Sequence, residues 1–111
     1  MKATIWHNPE CGTSRNALAI LEEAGAQVTI VEYLRNPPPP DELKRLYARA
    51  GISPREGLRS KEPATQHLAA ATDEEIIDAM MLNPALIERP IVETEKGAVL
   101  ARPAERVREI L

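Results

Sequence analysis

Phenylalanine is absent from this chain, and only one tryptophan and two tyrosines stand in its 111 residues. Any core must therefore be filled by leucine, isoleucine, valine and alanine. One cysteine excludes an internal disulfide and suits a reducing cytosol. Two histidines and that cysteine, far apart in sequence, lack the spacing of a zinc site. No glycine-rich phosphate loop or nucleotide motif is present. No apolar run is long enough to span a membrane, and Met1–Glu10 does not read as a secretory signal. A formal charge of −3 gives no hint of a nucleic-acid surface. These absences leave a soluble cytoplasmic protein as the expectation. The length predicts one domain over residues 1–111, large enough to bury a core without disulfides or metals.

The lone cysteine stands in the run His7-Asn8-Pro9-Glu10-Cys11-Gly12-Thr13-Ser14-Arg15-Asn16. A short apolar strand pattern precedes it, over residues 3–7, and a helical pattern follows, from about Ser14 to Ala24. The thiol thus falls at a strand-to-helix turn, where unpaired backbone N–H groups favour negative charge. A thiolate so placed can titrate below the free value of about 8.5. Lone cysteines are often inert buried hydrophobes, but Pro9, Gly12, Thr13 and Ser14 are loop and cap residues rather than core.

The helix predicted after Cys11 stops at Gly25, and Val28–Glu32 is rich in β-branched residues, predicting a second strand. Strand, helix, strand at this spacing is a βαβ unit with a parallel crossover. Pro37–Pro40 reads as a stiff connector leading to Asp41 as the cap of a helix over Glu42–Ala50. Ser53 and Pro54 suggest a further short helix. Thr72 followed by Glu75 is a capping box opening a helix to about Leu82, whose Ile76, Ile77, Ala79, Met80 and Leu82 read as core. The segment Pro90–Thr94, the turn Glu95-Lys96-Gly97 and the segment Ala98–Ala101 predict a hairpin, and Pro103 opens a last helix over Ala104–Leu111. The middle helices, about 41–83, lie between two halves of one sheet and read as a helical insertion.

A βαβ half, a ββα half and a cysteine after the first strand resemble the thioredoxin/glutaredoxin fold, an α/β arrangement with a mixed four-stranded sheet. The motifs narrow this. The Cys11 run, Gly57-Leu58-Arg59-Ser60-Lys61-Glu62-Pro63, Ile87-Glu88-Arg89-Pro90-Ile91-Val92 and Gly97-Ala98-Val99-Leu100-Ala101-Arg102-Pro103 resemble, in order, the glutaredoxin-coupled arsenate reductases of the ArsC family. The likeness spans residues 3–111. It implies that Cys11 is the nucleophile toward arsenate and that Arg59, Arg89 and Arg102 form the oxyanion site. It places His7 and Ser14 in the network around the thiolate and makes Pro90 a cis-proline beside Cys11. It further implies glutathione as co-substrate, glutaredoxin as partner, no tightly bound cofactor, no metal, and no nucleic-acid or membrane partner. Two stretches depart from the family pattern. The segment after Pro63 is shorter and richer in alanine, and the chain stops at Leu111 without the tail some members carry.

The chemistry suits these residues. A phosphate-like oxyanion carries about −1.5 to −2 charge at neutral pH, and arginine meets it with a planar fork of donors. Each arginine taken singly could be a surface charge or a structural ion pair. His7 could serve as a general base or merely orient a hydroxyl. Two rivals remain on this reading. One is a glutathione-dependent thiol reductase of the same fold. The other is an Spx-like regulator binding RNA polymerase, which typically carries a second cysteine where Ser14 stands.

Overall fold

A computed structural model describes all 111 residues. Strand β1 (Lys2–Trp6) leads to helix α1 (Gly12–Glu23) and strand β2 (Gln27–Val31). Helix α2 (Pro40–Ala50) and helix α3 (Asp73–Leu82) follow, then strand β3 (Ile91–Thr94) and strand β4 (Gly97–Leu100). Three 3₁₀ segments, Pro63–Leu68, Pro84–Leu86 and Ala104–Ile110, complete the chain.

The strands form one mixed sheet in the order β2-β1-β3-β4. β1 runs parallel to β2, with Ile5 opposite Ile30, and antiparallel to β3, with Ile5 opposite Val92. β3 and β4 form the expected hairpin. This is the α/β fold class expected from the two halves of the sequence.

Alternation along the strands sends side chains to two apolar layers. Ala3, Ile5, Val92 and Val99 face Ala17 and Leu21 of α1 and Val107 and Ile110 of the C-terminal 3₁₀ segment. The helix contributes a stripe of Ser14, Ala17 and Leu21 at helical spacing. Trp6, Ile91 and Ala98 face the opposite layer, packed with Leu43, Leu46 and Tyr47 of α2 and Ile76, Ile77 and Met80 of α3. The middle helices therefore pack on one face of the sheet. Each fully buried Leu or Ile contributes about 1.5–3 kcal/mol relative to exposure.

Several boundaries differ from the sequence expectation. Helix α1 begins at Gly12 rather than near Ser14, with Cys11 itself as the N-cap. Helix α2 begins at Pro40, with Pro39 rather than Asp41 preceding it. Proline suits a first helical position because its missing N–H has no partner there in any case; Asp41 sits in the first turn, where its charge favours the helix dipole. Ser53 and Pro54 open a turn, not a helix. Ser53 Oγ accepts from Glu56 N–H at 3.2 Å and Glu56 Oε1 from Ser53 N–H at 3.1 Å, but the chain leaves at Leu58 to bridge Ile87. The last segment is 3₁₀ rather than α. Thr72 and Glu75 form the predicted capping box.

Candidate active site

The two parallel strands end side by side, and the residues just beyond their C-terminal ends start the site. This is the edge at which open α/β sheets place their ligands. His7 and Asn8 follow β1, and Tyr33 follows β2. His7 N–H donates to Val31 O at 3.0 Å, tying the two strand ends together.

The loop between β1 and α1 is held from several sides. Glu10 N–H donates to Asn8 Oδ1 at 3.0 Å, and Cys11 N–H to Asn8 O at 3.0 Å. Arg15 Nη1 donates to Pro9 O at 2.9 Å. Ser14 is fully buried. Its hydroxyl lies 2.6 Å from His7 Nδ1 and accepts from Asn8 N–H at 3.1 Å. Ser14 Oγ has a second lone pair and a proton, so the direction of its bond to Nδ1 is set by the histidine tautomer. Burial lowers the His7 pKa; the Arg15 charge lowers it further, against the opposing pull of Glu32. His7 is therefore a neutral ring anchored on Ser14, and its hydrogen-bond partner is that hydroxyl rather than the thiol.

Cys11 is half-buried at the start of α1, with no acidic residue in the first helical turn and no side-chain cap. The first amides of the helix are thus free to face an anion. Burial pushes the Cys11 thiol up, but the opposing effects outweigh it and its pKa lies below the ordinary value. The Ser14 N–H, the charge and hydrogen bond of Arg89, and the Thr13 N–H supply the lowering. Arg102 Nη1 stands 4.0 Å from Cys11 Sγ and donates to Arg89 O at 3.1 Å.

The arginines arrive from separate segments. Arg89 precedes β3, Arg102 follows β4, and the β3–β4 hairpin brings them to the same edge; Ala101 N–H bonds to Pro90 O at 2.9 Å. The Arg89–Pro90 peptide is cis, and so is Arg102–Pro103. Arg59 is fastened to the same region by backbone. Leu58 bridges Ile87, Arg59 N–H donates to Leu86 O at 2.8 Å, and Glu88 N–H donates to Gly57 O at 2.8 Å. Gly57 lies so close to the Tyr47 ring that any Cβ there would collide with it, which lets this strand-like segment sit flat on the core.

Two residues of the site escaped the sequence reading. Tyr33 is buried and stacked on Trp6, ring centroids 6.1 Å apart. Burial raises its hydroxyl pKa to about 12, with Arg89, Cys11, Arg59 and Glu88 all acting on it electrostatically. It is a neutral phenol set among the charged groups. Its place just after β2 was the available signal. Glu88 lies between two guanidinium groups, 3.6 Å from Arg89 Nη1 and 3.8 Å from Arg102 Nε. Arg89 itself is 8% exposed, and its Nε is buried without a partner. His67 is exposed and belongs to no site. No group of three His, Cys, Asp or Glu side chains is assembled that could hold a metal ion, and no helix is long and apolar enough to cross a membrane.

A thiol of lowered pKa at a helix N-terminus, faced by guanidinium groups from two other segments, is an arrangement for nucleophilic attack on an oxyanion. Residues 6–110 match the model of the ArsC family. The chain belongs to the ArsC family. Over its whole length it is 46% identical to an arsenate reductase of Rhizobium meliloti, covering 82% of that protein. It is 48% identical to an arsenate reductase of Escherichia coli over 97% of this chain and 79% of that one. The solved structure of an arsenate reductase from Vibrio cholerae superposes with a TM-score of 0.93 at 40% identity, covering 100% of this chain and 98% of the other. Membership of the ArsC family accords with the four motifs in their order, and the fold with the mixed four-stranded sheet.

Proposed function

We propose that this protein is an arsenate reductase in which Cys11 is the nucleophile and Arg59, Arg89 and Arg102 seat the oxyanion. The observation that carries the reading is the Cys11 thiol, lowered in pKa by helix amides and Arg89, with Arg102 4.0 Å from its sulfur. Relatives sharing almost half of this sequence are named arsenate reductases.

Bound among the arginines, arsenate places its arsenic in line with the thiolate. The Cys11 sulfur forms a bond to arsenic, and one arsenate oxygen leaves as water with two protons from solvent. The helix amides and the guanidinium forks hold the charge of the adduct without reorganising. The Tyr33 hydroxyl, its pKa raised by burial, acts in this reading as a neutral donor to the oxyanion. His7 and Ser14 act one step back, fixing the turn that aims the sulfur.

Glutathione then attacks the Cys11 sulfur. The S–S bond forms as the S–As bond breaks, and its electron pair stays on arsenic, taking As(V) to As(III). Glutaredoxin removes glutathione from the mixed disulfide and restores the Cys11 thiolate. External thiols suit a chain whose one cysteine has no second sulfur to pair with, and the reducing cytosol is the compartment that supplies them. The Spx-like alternative draws no support from Ser14, which is buried and bonded to His7.

The test is arsenate-dependent NADPH oxidation coupled through glutathione, glutaredoxin and glutathione reductase. Wild-type protein should turn over, and Cys11→Ser should lose on the order of 1,000-fold or more in kcat. Wild-type inactivity toward arsenate in this assay would refute the reading.

A further inference from the structure

We propose that Glu88 is a built-in counter-anion of the oxyanion seat: its carboxylate holds Arg89 and Arg102 ready between turnovers and yields to the incoming anion. The proposal rests on the functional reading above for what the anion is. It does not rest on it for the geometry.

The Glu88 carboxylate lies among three groups. Oε1 accepts from Arg89 N–H at 3.3 Å, and stands 3.6 Å from Arg89 Nη1 and 3.8 Å from Arg102 Nε. The two guanidinium distances are those of ion pairs but too long for hydrogen bonds. Glu88 thus offsets charge without using up the donors. Arg102 spends Nη1 on Arg89 O and Cys11 Sγ. Arg89 Nε has no partner although it is buried. A buried charged donor left unbonded is costly, and a tetrahedral oxyanion is a ligand that would satisfy it. The carboxylate's main-chain anchor is independent of this work, since Glu88 N–H bonds to Gly57 O. Its side chain, 20% exposed, is free to turn toward solvent.

The consequence is a seat that is cationic enough to attract an anion and guarded enough to release the product. Three arginines facing a thiolate and no carboxylate would hold any small dianion strongly. Glu88 competes with the anion for the same two cations, so it weakens ground-state binding. It acts as a positioning residue, not a catalytic one.

Three measurements on the full chain test this. Isothermal titration with sulfate should show Glu88→Gln binding about three- to tenfold tighter than wild type, with Glu88→Asp, whose carboxylate is set back, between the two. The rise in Tm on adding sulfate should be larger in Glu88→Gln than in wild type. The rate of Cys11 alkylation by iodoacetate, an anion, relative to neutral iodoacetamide should also rise in Glu88→Gln. Sulfate affinity unchanged or weakened in both variants would overturn the proposal and leave Glu88 a plain structural ion-pair partner. If Glu88→Gln fails to fold, unchanged affinity in Glu88→Asp overturns it equally. None of these readouts needs arsenate turnover, so an enzyme inactive toward arsenate would sink the functional reading and leave this one standing.

Discussion

Two glutamates, each set between a pair of arginines, teach opposite lessons. Glu93, on β3, bonds Arg45 Nη1 at 2.8 Å and Arg49 Nη1 at 2.6 Å, both from α2, and Arg45 also holds Glu42. All four Nη nitrogens there have partners, Arg49 Nη2 reaching Glu95 O at 2.9 Å. Glu88 meets its two arginines only at 3.6 and 3.8 Å, with Arg89 Nε unbonded. The first cluster is closed and pins a helix to the sheet. The second is open beside a thiol of lowered pKa, and its spare donors are the ones an oxyanion needs. Arginine–carboxylate contact alone distinguishes neither; the distances and the unspent donors do.

The comparison breaks most sharply in activity. Arg59→Ala, Arg89→Ala and Arg102→Ala should each lower arsenate kcat/KM at least about tenfold, a loss of about 1.4 kcal/mol or more of transition-state stabilisation. Lysine replacements should recover only part, lacking the planar fork. Arg45→Ala should leave kcat/KM within about twofold in the same steady-state assay. Near wild-type activity in all three site variants would place the anion elsewhere.

A second contrast concerns the thiol. The midpoint of pH-dependent iodoacetamide alkylation should lie below that of a free cysteine in wild type, and should rise in Arg89→Ala, because the Arg89 charge and hydrogen bond help depress the Cys11 pKa. Arg49→Ala should leave the midpoint where it was. An unmoved midpoint in Arg89→Ala would detach the arginine from the thiolate.

The smallest effect belongs to the closed cluster and shows in stability. Hydrogen bonds from Arg45, outweighing burial, and from Arg49 lower the Glu93 pKa to about 2. Its unfolded value is about 4.3. A lowered folded pKa stabilises at pH above the unfolded value, and that stability is lost as pH falls through the folded one. Glu93→Gln should therefore melt a few degrees below wild type at pH 7, on the order of 1 kcal/mol. The gap should narrow below pH 4 and close near pH 2. Melting curves at several pH values give the answer, and a gap independent of pH would mean the pairs contribute nothing through charge.

Much of this architecture is legible along the chain because it is local. The βαβ unit follows from a β-branched run and a capped helix at short spacing, and the hairpin from Glu95-Lys96-Gly97 between apolar strands. Cys11 stood out because its neighbours are cap and turn residues, and those same residues make it the N-cap of α1. The resemblance of four motifs supplied Arg59, Arg89 and Arg102, which spacing alone would leave as surface charges. Glu88 and Tyr33 were missed for a physical reason. The role of each depends on what faces it from distant segments: Arg102 comes from beyond β4, and Tyr33 meets Cys11 and Arg89 only across strand ends. The short helix expected at Ser53 failed similarly. Its cap chemistry is present, but the long-range bridge from Leu58 to Ile87 took the chain before a second turn could form.

The buried bond between Ser14 and His7 reaches beyond geometry. With a hydroxyl locked where a second sulfur could stand, Cys11 cannot hide its oxidised form inside the protein. In the proposed cycle each turnover therefore leaves the molecule wearing a tripeptide on its surface until a partner strips it off. The spent enzyme and the ready enzyme then differ in outline, so whatever regenerates Cys11 can recognise the label and pass over molecules that have not yet fired.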